Sequence, residues 1–155
     1  MTGSHHLTAL LAAAWEAVDD PATARRDLCL DAVGDLLDTG GLPRAERERA
    51  VGRLVALALS ARDDEVQESA LHALCVAADH HQLSYAVIAP LAGRGDGEGD
   101  NFSPVLLPYV LAALSATYDR RALPLVQRYL RHPHPGVRAE AAEALRELRL
   151  GTARP

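Results

Sequence analysis

Lysine is absent from this chain, and all sixteen basic residues are arginine. This bias is expected of a GC-rich bacterial genome rather than of selection for forked contacts. Aromatic side chains are scarce too, with one Trp, one Phe and four Tyr, so a core cannot be organised around ring anchors and must rely on closely approaching helices. Cys29 and Cys75 are the only cysteines. Two cysteines do not make a disulfide framework in a domain of this size, and both fall in apolar helical patterns, where free, buried thiols of a reducing compartment are expected. No apolar stretch reaches the roughly eighteen residues of a membrane span, and no basic n-region precedes Leu7–Val18, so neither a membrane anchor nor a signal peptide is expected. The expected location is the cytoplasm. Gly3-Ser4-His5-His6 is assigned no function.

What is abundant is Ala and Leu, both strong helix formers. The apolar content, 48%, is too high and too regular for a disordered chain. The net charge of −5 argues against a nucleic-acid partner, which needs clustered cations to displace counterions from phosphates. The charge is uneven. Residues 1–118 hold 17 acidic and 8 basic side chains, and 119–155 hold 4 acidic and 8 basic, a polarity able to orient a partner.

Apolar residues recur at helical spacing throughout, with no run of period-two alternation. Punctuation divides the helices into pairs. Leu7–Val18 is followed by a helix capped by Asp20, with Pro21 in its first turn, running to Asp38 before Gly40-Gly41. Pro43 opens a third helix to Ser60, and Asp64 with Gln67 forms a variant capping box for Glu65–Ala78. Ser84–Ala92 precedes the loop Gly93–Asn101, and Ser103-Pro104 starts a helix to Tyr118. Arg121–Arg131 and Gly136–Leu148 complete a fourth pair, with a frayed tail expected over 150–155. The expectation is one domain over 1–155, with pairs at 5–38, 43–79, 84–118 and 120–149.

The second helices repeat. Val66, Ala70, Ala73 and Leu74 superimpose on Val137, Ala141, Ala144 and Leu145; Val105, Tyr109, Ala112 and Ala113 take those places in the third pair, and Cys29, Val33, Leu36 and Leu37 do so less clearly in the first. The spacings are 37, 39 and 32 residues, in the range of helical repeats. With Asp63-Asp64-Glu65-Val66-Gln67 and Pro135-Gly136-Val137-Arg138 near these starts, the chain resembles the HEAT-repeat family over 43–148. The first pair departs from the pattern as a terminal cap would, and His134 stands where the family often has Asp. The resemblance implies an all-α fold, a right-handed α-α superhelix of about four antiparallel helix pairs of the HEAT-like or armadillo type, and a concave face lined by second helices.

Small residues such as Ala70, Ala73, Ala141 and Ala144 are expected at close contacts between layers. The concave row reads Gln67, Leu71, Cys75, then Leu106, Val110, Leu114, then Arg138, Ala142, Arg146. From it Leu106, Val110 and Leu114 are expected as hydrophobic anchors, Arg138 and Arg146 as charged selectors, and Gln67 and Leu71 as flanking contacts of a protein partner. The helix 105–116 is apolar nearly all round. It is either covered by its own fold, or by a second copy in a homodimer, or open as a groove.

No histidine pair at i, i+4 has a third ligand in view, so no metal is expected; His80-His81 instead suit a helix end as cations. Pro108 is expected one turn into its helix, bending it. The loop Gly93–Asn101 lacks EF-hand spacing and reads as a flexible acidic turn. No activated nucleophile is evident, and no catalytic residue or cofactor is expected. The leading expectation is a non-enzymatic interaction scaffold. The alternatives are an immunity or antitoxin-like protein neutralising a basic toxin by charge complementarity, and, because some HEAT-like proteins are DNA-alkylation glycosylases or bilin-lyase subunits, a lyase-like or nucleic-acid-modifying enzyme or subunit using the basic last repeat.

Overall fold

A computed structural model describes residues 2–152. Among them there are helices and turns and no strand. The chain forms two compact units, Met1–His81 and Gln82–Pro155.

In the first unit, α1 (Thr2–Asp19) buries Leu11, Trp15 and Val18, a stripe spaced four and three residues apart that matches the helical repeat. It begins five residues before the expected Leu7. The helix after it, α2 (Arg26–Asp38), starts later than expected. The Asp20 carboxylate accepts the Ala22 amide at 2.8 Å, closing an Asx turn on itself instead of capping a helix, and Pro21 sits in that turn. Arg26 Nε then donates to the Val18 carbonyl at 2.8 Å, satisfying an end group of α1.

Helices α3 (Arg44–Ser60) and α4 (Asp64–Ala78) form the second hairpin of this unit. Asp63, one residue before the expected Asp64, caps α4 by accepting the amides of Glu65 and Val66. Gln67 does not complete a capping box. Its Nε2 donates across the hairpin to the Ala58 carbonyl at 3.0 Å, an acceptor in the last turn of α3. α1 packs on α2, α3 on α4, and the two second helices, α2 and α4, on each other. Their approach is close at Gly34, where a Cβ would stand 3.2 Å from Ala73 Cβ. Glycine inside a helix costs about 1 kcal/mol relative to alanine; here it admits the facing backbone.

The second unit opens with α5 (Tyr85–Ile88), which tightens into a 3-10 turn, Ala89–Leu91, because Pro90 has no amide to continue the α pattern. After the loop, α6 (Leu107–Ser115) starts later than expected, with Pro108 in its first turn. There the missing donor would have had no intrahelical acceptor, so Pro108 starts the helix and does not bend it. α7 (Ala122–Arg128) runs into a 3-10 turn, Tyr129–Arg131, and α8 spans Pro135–Thr152. α8 therefore continues through three residues expected to fray, 150–152, and 153–155 lie outside the described residues. α6 packs on α8, α7 and α5, and α7 on α8, so second helices again meet.

The aligned residues Val66, Ala70, Ala73, Leu74 and Val137, Ala141, Ala144, Leu145 are all buried. The third copy breaks. Val105 precedes α6 and is 75% exposed, and Ala112 faces outward; the buried positions with the spacing of Val66, Ala70, Ala73 and Leu74 lie one residue later, at Leu106, Val110, Ala113 and Leu114.

Candidate functional site

The expected partner-binding row does not form a surface. Leu71, Leu106, Val110 and Leu114 are at most 5% exposed; they belong to the core, which corrects their assignment as anchors. Within α6 only Ala112 is exposed, so the apolar helix is covered and offers neither a groove nor an aliphatic homodimer face. Gln67 is half-buried and engaged with Ala58. Arg138 is structural: its Nη1 donates to the carbonyls of His132 at 2.8 Å and Pro133 at 3.0 Å, tying α8 to the turn before it. Arg146 is exposed and pairs with Glu143 on the same helix.

The charged residues that do converge lie elsewhere. A cleft of about 680 Å³ in the second unit opens between the loop after α5, α7 with its 3-10 turn, and α8, and four arginines line it: Arg94, Arg128, Arg131 and Arg149. Its apolar lining is Pro124, Leu130 and Leu145, and Leu130 is 37% exposed. Asp96 is the one carboxylate among the described lining residues. It stands 3.2 Å from Arg94 Nε, and the Gly99 amide holds its carboxyl below the usual carboxylate range. Arg128 and Arg131 have no carboxylate partner among the described residues.

The loop that supplies Arg94 is not the flexible turn expected from its glycines. Asp100 accepts the Gly95 amide at 2.7 Å and the Gly97 amide at 3.2 Å. Its Oδ2 also lies 2.9 Å from His132 Nε2, with 1% of the Asp100 side chain and 2% of the His132 side chain exposed. His132 Nδ1 accepts the His134 amide at 3.0 Å, so Nε2 carries the proton and donates to Asp100. Beside this pair, Tyr129 stacks on His132 with centroids 6.3 Å apart, and its hydroxyl accepts the Gly93 amide at 2.7 Å. Burial pushes the Tyr129 phenol up, which keeps it protonated. Gly95 has φ +74°, and a Cβ there would stand 2.9 Å from the Arg128 backbone. At Gly95 the loop thus lies directly against the backbone of Arg128.

In the first unit a groove of about 460 Å³ runs between α1 and α3 over Leu11, Trp15 and Ala50. Both of its arginines are paired with carboxylates of the same groove. Arg53 lies 4.0 Å over the Trp15 ring and grips both Asp19 oxygens at 2.8 Å, and Arg49 pairs with Glu46.

The histidines at the end of α4 differ from the expected cations. His80 Nε2 is 2.7 Å from Asp38, but burial, Arg47 and His80 push the His81 pKa down. His81 bonds the Leu37 carbonyl, and its Nε2 is buried without a partner. Cys29 and Cys75 are half-buried; burial of the Cys75 thiol, with Asp79 nearby, pushes it up to about 12. Among the described residues no group of three or more His, Cys, Asp or Glu is placed to hold a metal ion, and no helix is long and apolar enough to cross a membrane.

The arginine cleft was missed in the sequence because its members come from three separate segments; the basic balance after residue 118 was the available signal. In comparisons with known proteins, the chain matches no family model, no curated protein and no solved structure.

Proposed function

We propose that the chain is a non-enzymatic protein-interaction module, a HEAT-like α-solenoid of about four hairpins, that receives its partner at the arginine cleft of the second unit. One observation carries the site: four arginines from three segments line one cleft in a chain whose net charge is −5. Two features support the HEAT-like reading. The aligned Val, Ala, Ala and Leu positions of α4 and α8 are buried alike, and second helices pack on second helices within each unit. Affinity capture from the native host tests the function. Arg128→Glu combined with Arg131→Glu should remove a specific partner while the far-ultraviolet spectrum and melting temperature stay unchanged; an unaltered capture profile rejects the cleft as the partner site.

The charge of the first unit favours a second reading. Residues 1–81 hold 14 acidic and 7 basic side chains, suited to neutralising a basic protein such as a toxin. In that case the captured partner is basic, and Asp31→Arg combined with Asp35→Arg, not the arginine variant, releases it.

A further inference from the structure

We propose that the arginine cleft binds an acidic peptide segment in which two or more carboxylates flank a leucine-sized aliphatic side chain. The inference rests on the interaction-module reading and names the chemistry of the partner at that same site.

Guanidinium forks match carboxylates through two parallel hydrogen bonds. Arginines line the cleft from each of its walls: Arg94 on the loop, Arg128 at the end of α7, Arg131 in the 3-10 turn after it, and Arg149 on α8. Charge alone is weak here, because Arg94 is 73% exposed and open ion pairs are worth at most about 1 kcal/mol each. The aliphatic lining supplies the second component. Leu130 and Pro124, over the buried Leu145, offer apolar surface in the cleft, so a partner that buries an aliphatic side chain there gains contact that a bare anion does not.

The same residues disfavour a nucleic acid. No aromatic side chain lines the cleft among the described residues, so bases find no stacking platform. Asp96 repels a continuous phosphate backbone, and the charge of the whole chain opposes a polyanion. A peptide can space its carboxylates around Asp96.

The cleft is also built before a partner arrives. The Asp100–His132 pair and the Gly93–Tyr129 bond fix the loop that carries Arg94, so ordering that wall costs little on binding.

The test is selection of random twelve-residue displayed peptides on the full chain, followed by fluorescence polarisation of the most enriched peptide. We expect enrichment of sequences with acidic residues on either side of Leu, Ile or Met. Binding should weaken about ten-fold or more in Arg128→Glu combined with Arg131→Glu, and when the peptide's Glu and Asp become Gln and Asn, as expected for lost charge complementarity. Arg44→Glu, exposed on α3 and paired with Glu48, should leave affinity unchanged. If the reversal unfolds the chain, Arg128→Gln with Arg131→Gln makes the same comparison. The proposal is overturned if nothing is enriched, if enriched peptides lack acidic residues, if affinity survives the arginine variants, or if a ten-nucleotide oligo-dT binds more tightly than the peptide. Should acidic peptides fail while host-partner capture still depends on Arg128 and Arg131, the peptide chemistry is wrong and the interaction module stands. Should that capture also be independent of them, both fail.

Discussion

His132 Nε2 donates to Asp100 Oδ2 at 2.9 Å across 32 residues, and both side chains are almost wholly enclosed. Asp100 receives the Gly95 and Gly97 amides as well, so one carboxylate satisfies three donors. Asp100→Ala would leave those donors without their acceptor, with an expected loss of about 2–4 kcal/mol of unfolding free energy. Urea denaturation measures it. A change below about 0.5 kcal/mol, the usual range of surface substitutions, would show that the loop is not held by this pair.

Gly95 tests the same junction from the backbone. Gly95→Ala imposes a side chain at φ +74° and drives Cβ to 2.9 Å from the Arg128 backbone, so about 1–3 kcal/mol should be lost. Gly3→Ala, with open space around it, is the control. Thermal melting of the two variants should separate them by several degrees, and equal melting temperatures would contradict the close approach.

Burial separates the interior row from the surface one. Leu114→Ala should cost about 2–5 kcal/mol, as for other fully buried leucines, whereas Arg146→Ala should change stability by no more than about 0.5 kcal/mol. Similar costs for the two would mean that α6 is not covered as the structure has it.

His81 gives the chain a sensitivity to mild acid. Its folded pKa lies below the ordinary histidine value of 6.5 because of burial, Arg47 and His80, so the unfolded chain takes up the proton first as pH falls. The resulting stability is complete above pH 6.5 and is lost as pH drops from there toward the folded pKa. A further loss should begin below about pH 4, where unfolded carboxylates protonate, because Asp119, held at about 2 by Arg121, and Asp27, held low by Arg25, stay charged in the fold. Melting temperature between pH 7.5 and 5 should fall more in the parent chain than in His81→Phe; parallel profiles would reject the role of His81.

Helix type and approximate helix order were legible in the sequence because apolar spacing reports one-dimensional periodicity. The small residues that α2 and α4 bring together were partly legible, since Ala73 was expected at a close contact, but its partner Gly34 was not. Helix starts were less so. Asp20 and Asp63 are equally good caps by residue type, and what distinguishes them is which amides each reaches: Asp20 closes its own turn, whereas Asp63 meets the first amides of α4.

The candidate site was hardly legible at all. An all-apolar helix reads the same whether it is covered or open, and only the packing of α6 on α8, α7 and α5 decides for the interior. Likewise Gly93–Asn101 has the composition of a mobile acidic loop, but Asp100 finds a buried donor, His132, on a turn 32 residues away.

The sequence by itself determined that the chain is helical, because Ala and Leu recur at helical spacing, and that basic charge gathers toward its C-terminal end. Tertiary structure alone decided which residues face solvent and which arginines share a cleft. Arg94 and Arg149 are 55 positions apart yet line the same cleft, since the Asp100–His132 and Gly93–Tyr129 bonds hold the loop against the turn that follows α7. Charge and burial act through space, and linear spacing does not encode that distance.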